Sequence, residues 1–520
     1  MASITNPILP GFHPDPSVVR VGKDYYIATS TFEWFPGVEI HHSRDLIHWE
    51  LAARPLNRVS QLDMRGVRCS CGVWAPCLSY CDGVYYLIYT IMNSTGGAFK
   101  DTDNYLVTAT EISGEWSDPV YLNSTGFDPS LFHGGNGRKW LVNMGWDFRG
   151  GRNSFEGVLL QEYSPKEKKL VGKSVNIFRG SQYGKTEGPH LYFHGGWYYL
   201  LAAEGGTEKN HVATMARSRS VAGPYELHPQ NPILTSRYNP ELEMQMAGHA
   251  DLVETEDGEW YLVHLCARPL DGCSILGRET AIQKAVWGED GWLRLEDGGC
   301  EPKVLVPAPR LPESVPAPLP VRDDFDSGAL GLQYSTLRMP LGPETLSLTE
   351  RPGWLRLRGR QSLHSAYLQA LVARPQEAFV YTAETKLEFA PEDFRQTAGL
   401  VCLHDNENYY YLHVGGDERH GRVLRVLACD NGAYTFSGEV PAGGDGPVYL
   451  RACADHARLW FYYSLDGKSW SHIGGVYDMR VLSDEHSACS HFTGAFVGLC
   501  CQDLSGGGRY ADFDYFDYRE

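Results

Sequence analysis

Three carboxylates that stand just ahead of short apolar strands are the residues of this 520-residue chain best placed to do chemistry. Asp15 lies in HPDPS, Asp128 in FDPS and Glu187 in TEGPH, each one or two residues before a proline that opens an apolar run. Carboxyls brought together repel once ionised, and burial adds to the cost, so one of a converging set keeps its proton near neutral pH. One protonated and one ionised carboxyl is what general acid and general base work requires. Taken singly, Asp before Pro is also a common turn start, as at Asp118. The fold must therefore bring the three together before chemistry follows.

The elements that would do so repeat. A strand of the form Gly, one or two residues, aromatic, aliphatic run occurs five times, as GKDYYIA, DGVYYLIY, NGRKWLVN, GGWYYLL and DGEWYLVH. Its aromatic markers, Tyr26, Tyr86, Trp140, Tyr199 and Tyr261, are spaced by 60, 54, 59 and 62 residues. Ten or eleven residues before each marker lies a short apolar strand opened by Pro16, Pro76, Pro129, Pro189 or Ala250. Four-stranded repeats of this length predict propeller blades, five of them over residues 1–305. A sandwich array would not keep two motifs in phase through five copies. The innermost strand of each blade lines the central channel, so Asp15, Trp74, Asp128, Glu187 and His249 are expected to meet on one face.

Composition agrees with an all-β chain. Aromatics make up 12%, with 30 Tyr, 13 Trp and 56 Gly, and long helical periods are hard to find. Seven prolines between Glu301 and Pro320 predict a stiff linker at 306–320. Alternation such as WLRLRGR and a hairpin around Asp466 and Gly467 predict an antiparallel β-sandwich over 321–520.

The net charge of −18, from 46 basic and 64 acidic residues, disfavours nucleic acid and anionic membrane as partners. The most apolar stretch, Val84 to Met92, is far below the ~20 residues that span a bilayer. No export signal is visible, and 13 cysteines, an odd number, fit a reduced, cytoplasmic setting better than a disulfide framework. The cluster Cys69, Cys71, Cys77 and Cys81 lacks the paired spacing of a zinc site and is expected to be buried thiols. The sequons at Asn93 and Asn123 matter only in a secreted chain. No G-x-S-x-G or H-E-x-x-H motif occurs, and the Gly-Lys-Ser triplets at Gly172 and Gly467 lack the preceding glycine of a phosphate loop.

The opening NPILPGFHPDPSVVRVGKDYYIATSTFEWFPGVEIHHSRDLIHW, with GVWAP at Gly72, FDPSLF at Phe127, TEGPHLY at Thr186 and GHADLV at Gly248, resembles the two-domain β-xylosidases of glycoside hydrolase family 43. The resemblance covers essentially the whole chain, including HFTGAFVGL at His491. It implies a five-bladed β-propeller followed by a β-sandwich, and hydrolysis by single displacement with inversion. It assigns Asp15 as general base, Glu187 as general acid and Asp128 as the group that orients the acid and, by its negative charge, favours the protonated form. Phe32, Trp74, His249 and Arg278 match the family's pocket positions. Phe492 is expected to cap the pocket beside a glycine hinge, although composition alone would place it in the sandwich core. For Phe32 and Trp74 the bland alternative is ordinary burial.

The expected activity is exo-acting release of D-xylose from the non-reducing ends of β-1,4-xylo-oligosaccharides, with α-L-arabinofuranose release beside it. The alternative is a non-hydrolytic carbohydrate-binding propeller, which would have no use for both Asp15 and Glu187. No cofactor is expected for the chemistry. Some family members hold a calcium ion in the channel near the equivalent of His249, and a single His leaves that ion, like a homo-oligomer, open.

Overall fold

A computed structural model describes residues 2–489 and 491–520; Met1 and Ser490 lie outside the described residues. Five four-stranded antiparallel sheets form the blades of a propeller, four built from consecutive strands and the first interrupted by the short strand Trp34–Phe35. Their inner strands are Ser17–Val21, Gly72–Cys81, Ser130–His133, Glu187–His194 and Gln245–Glu254. The second strands carry the aromatic markers, and every marker pairs with the residue three positions after the Pro or Ala that opens its inner strand. The pairs are Tyr26 with Val19, Tyr86 with Ser79, Trp140 with Phe132, Tyr199 with Tyr192 and Tyr261 with Val253. Equivalent register in five blades is the structural form of the repeat, because a slip of one residue would turn each strand's apolar set away from its neighbours.

No blade is shared between the chain's two ends. The ring is clasped by Ser3–Thr5, which pairs with Leu305–Pro307. Asn6 also exchanges hydrogen bonds with Ile282 of blade five, donating from Nδ2 and accepting at Oδ1. The proline-rich stretch begins as that closing strand and then runs extended along the propeller, where Arg310 N–H donates to Glu259 and Ser314 N–H to Asp45.

Beyond it, an eight-stranded and a six-stranded antiparallel sheet hold a sandwich core that includes Leu355, Leu400, Leu450 and Phe513. One short 3-10 turn, Met479–Val481, is the single helical element among the described residues. The two domains share structure. Trp34–Phe35 of the propeller pairs with Thr336–Leu337 of the sandwich, and Arg338 N–H donates to the Glu33 carbonyl. Trp34 stacks on Phe496 with ring centroids 3.8 Å apart. A single apolar cluster runs from Phe12, Trp34 and Trp74 of the propeller into Leu371, Tyr411 and Phe496 of the sandwich.

Candidate active site

Three inner strands reach the channel mouth through a residue in the left-handed region: Asp15 at φ 55°, Asp128 at 51° and His249 at 44°. Such conformations cost side-chain-bearing residues on the order of 1–3 kcal/mol each, and persist where the surroundings over-determine them. In blade four the same slot is Gly188, at φ 54°, where an added Cβ would stand 3.0 Å from the His249 ring. The carboxylate of blade four therefore comes from Glu187, one residue further back on a chain one methylene longer. Trp74 of blade two is likewise set back, and both strands pass through a register shift there. The five positions expected to be equivalent are thus two alternating placements that converge on one cavity.

Asp15 is held on both oxygens. Arg278 Nη1 donates to Oδ1 at 2.8 Å and Ser30 Oγ to Oδ2 at 2.7 Å, while His249 Nδ1 lies 3.8 Å away. Burial alone would raise this carboxyl, but the Arg278 charge, then His249 and the Ser30 hydroxyl, outweigh it and hold it below the ordinary carboxylate range. Glu187 goes the other way. Burial and the negative charge of Asp15 push it up to about 7, against the pull of Lys185, Arg278 and Lys100.

Asp128 is raised well above its ordinary value by burial, then by Glu187 and Asp15, while the Gly188 N–H donates to its carboxylate. This differs from the expectation that an ionised Asp128 keeps Glu187 protonated. The standing negative charge beside Glu187 is that of Asp15, and Asp128 and Glu187 titrate as a pair because both are buried at close quarters.

The cavity holds about 170 Å³ and is lined by all eight residues singled out from the sequence: Asp15, Phe32, Trp74, Asp128, Glu187, His249, Arg278 and Phe492. Phe32, Trp74 and Phe492 form its apolar wall, with Phe492 stacked on Phe32 at 5.9 Å and edge-on to Trp74 at 5.6 Å. Phe492 arrives from the sandwich, and Arg278 Nη2 donates to its carbonyl at 3.1 Å. At Gly494, beside it, a Cβ would come within 2.7 Å of the Leu276 carbonyl, so the glycine permits close approach of two backbones.

Lys100, Phe127, Phe155, Lys185 and Glu208 also line the cavity and were not expected. Phe127 and Lys185 adjoin the FDPS and TEGPH motifs, a signal that was available. Lys100, from the hairpin partner strand Phe99–Ala109, carries none; its ammonium sits 5.3 Å from the Trp74 ring centroid and 4.9 Å from that of Trp146. The clustered cysteines do not converge on the cavity: Cys77 is buried in the inner strand and Cys81 ends it.

Calcium wants six to eight oxygen ligands. Near His249 the channel offers the carboxylate of Asp15, already held by Arg278 and Ser30, and that of Asp251. The Asp251 oxygens already accept from Ser17 Oγ, the Val18 N–H, Tyr192 Oη and the Leu252 N–H. These side chains do not fit a directly ligated calcium ion. A second cluster, His13, Glu39 and His41, is buried, but Arg54 Nη2 at 2.5 Å and His13 Nδ1 at 2.8 Å already neutralise its one carboxylate.

Residues 4–293 match the profile of the glycosyl hydrolases family 43, and residues 322–519 match the β-xylosidase C-terminal concanavalin A-like domain. The chain belongs to glycosyl hydrolase family 43. Similar chains include a β-xylosidase of Bacillus subtilis, 50% identical over 534 residues covering 99% of each chain. Another is xylosidase/arabinosidase 43B of Humicola insolens, 50% identical over 542 residues covering 100% of this chain and 98% of that one. The solved structure of a xylan β-1,4-xylosidase from Bacillus halodurans is 56% identical, covers 99% of this chain and 100% of that one, and superposes with a TM-score of 0.98. As a family 43 member the protein is a glycoside hydrolase, and its two domains are the propeller and sandwich described above. No helix of the described residues is long and apolar enough to cross a membrane.

Proposed function

We propose that this family 43 enzyme is an exo-acting, inverting glycosidase that releases D-xylose from the non-reducing ends of β-1,4-xylo-oligosaccharides, with α-L-arabinofuranosides as secondary substrates. One observation carries the reading: one cavity holds Asp15 below the ordinary carboxylate range and Glu187 at about 7. A non-hydrolytic binding module has no need for two carboxyls driven in opposite directions. The names of the relatives from B. subtilis, H. insolens and B. halodurans support xylosides as the main substrate class.

In this mechanism Asp15, kept ionised by Arg278, takes a proton from a water that attacks the anomeric carbon. Glu187 gives its proton to the departing glycosidic oxygen, and Asp128 sets the proton inventory of Glu187. No metal or organic cofactor is needed for this chemistry. The aromatic wall of Phe32, Trp74 and Phe492 suits the C–H face of a pentose, and Arg278, His249 and Lys100 supply donors for its hydroxyls. All 13 cysteines are unpaired, which supports a reducing compartment such as the cytoplasm.

Inversion needs a water between base and sugar and a carboxyl separation of about 6.5–9.5 Å. Asp15 and Glu187 come from blades one and four, on different sides of the channel, which suits the wider gap. Proton NMR of fresh product from a β-xyloside should show α-xylose first; initial β-xylose would exclude the mechanism. Xylo-oligosaccharides should shorten by single xylose units, with β-1,4-xylobiose preferred over its β-1,3 isomer, and xylan should lose viscosity only slowly.

The pH dependence should follow the charges. Activity requires Asp15 ionised and Glu187 protonated, so kcat/KM should be bell-shaped. Arg278→Met removes the cation that lowers Asp15, so the acid limb should move to higher pH. Asp128→Asn removes the neighbouring carboxyl whose charge opposes loss of the pair's last proton, so the alkaline limb should move to lower pH. Limbs that stay in place in both variants would show that neither group tunes the pair.

A further inference from the structure

We propose that Ser70 is a positioning residue that aligns the aromatic wall of the sugar pocket across the domain boundary. It lies outside every motif discussed above, yet its polar groups reach Trp74, the Phe492 loop and the residue that follows Phe32. Its carbonyl accepts from Trp74 Nε1 at 3.0 Å. Its hydroxyl oxygen accepts from the N–H groups of His491 at 2.9 Å and Phe492 at 3.2 Å, both on the sandwich loop. Its own N–H donates at 3.0 Å to Glu33 Oε2, on the residue after Phe32. Phe32 in turn exchanges backbone hydrogen bonds with Val73, next to Trp74.

The backbone supports the same reading. Ser70 sits at φ 60°, and Phe32 at 50°, both in the left-handed region, and both are buried. A serine held there spends conformational energy that an ordinary loop residue would avoid, and strain of this kind gathers at sites whose surroundings over-determine geometry. The neighbouring sandwich loop is fastened as well: Ala495 N–H donates to the Ile275 carbonyl at 2.9 Å, and Ser274 donates to Glu485 at 2.7 and 2.8 Å. Phe492 is thereby pinned at its N–H by Ser70 and at its carbonyl by Arg278, the residue that also holds Asp15. Loss of the Ser70 hydroxyl releases the first of these pins and leaves the second, so the wall should loosen while the carboxylates keep their places.

The inference rests on the cavity being the pocket for the terminal sugar, and the test separates the two. Wild-type enzyme hydrolysing β-1,4-xylobiose establishes the pocket; the Ser70 variants then test positioning alone. Ser70→Gly keeps the left-handed backbone at no steric cost and removes the hydroxyl together with its Cβ. It should raise KM for xylobiose, and the inhibition constant for free xylose, by about tenfold, with kcat changed by no more than about threefold and the pH limbs unmoved. On a Phe492→Ala background the same change should add little, because the two residues act on one contact. Unchanged KM in Ser70→Gly, a fall confined to kcat, or full multiplication of the two effects in the double variant would each overturn the proposal. Should Ser70→Gly fail to give soluble protein, Ser70→Ala in the same cycle, with its Tm recorded, answers the same question.

Discussion

Asp15→Ala should lose about a thousandfold or more in kcat on β-1,4-xylobiose and on an activated aryl β-xyloside alike, since general base work of this kind contributes on the order of 10²–10⁴. The base acts on the water, and every substrate needs that water. Glu187→Ala should behave differently. It should lose a comparable amount on xylobiose, whose leaving sugar hydroxyl must be protonated, but much less on an aryl xyloside, whose leaving group departs without help. Steady-state kinetics of the two variants on the two substrates form a four-way comparison. Parallel losses in both variants on both substrates would reverse or erase the assignment of acid and base. The electrostatics set its direction: Arg278, 2.8 Å from Asp15, favours an anion there. Glu187, buried and facing that anion, holds its proton to about 7.

Removing the sandwich should cost the propeller its fold. Residues after about Pro320 supply the strand that pairs with Trp34–Phe35 and the Phe496 ring against which Trp34, only 2% exposed, is stacked. They also supply Leu371 and Tyr411 to the cluster that contains Phe12 and Trp74. At roughly 25 cal/mol per Å² of apolar surface returned to water, stripping several large side chains exceeds the 5–15 kcal/mol by which a domain is stable. A fragment ending near residue 320 should therefore be insoluble or fail to show a cooperative melt. In the full chain, Phe496→Ala should cost about 3–5 kcal/mol, the range for a buried ring left as a cavity, and lower Tm accordingly. A soluble fragment with a sharp melt and full xylobiose activity would refute both the shared core and the contribution of Phe492 to the pocket.

The repeat alone determined that there are five blades, that Tyr26, Tyr86, Trp140, Tyr199 and Tyr261 occupy equivalent places, and that Asp15, Asp128 and Glu187 open onto one end of the channel. Register in a sheet follows from side-chain alternation, which is local and therefore visible along the chain. Tertiary structure alone decided the rest. Nothing periodic links Ser30, Ser70 and Lys100 to the carboxylates, because they arrive from hairpins and loops whose course depends on packing between blades. Phe492 comes from a second domain, on the face turned to the propeller. The slot taken by Gly188 shifts Glu187 by one residue because the His249 ring lies 3.0 Å from where a Cβ would stand, a clash that exists only once two blades meet. The electrostatic cause of the protonation order was equally out of reach of motif reasoning. Asp128 and Glu187 are both carboxyls ahead of a strand, and what separates them from Asp15 is a guanidinium that reaches Asp15 from 263 positions further along the chain, in surroundings dry enough for one charge to decide which carboxyl stays ionised.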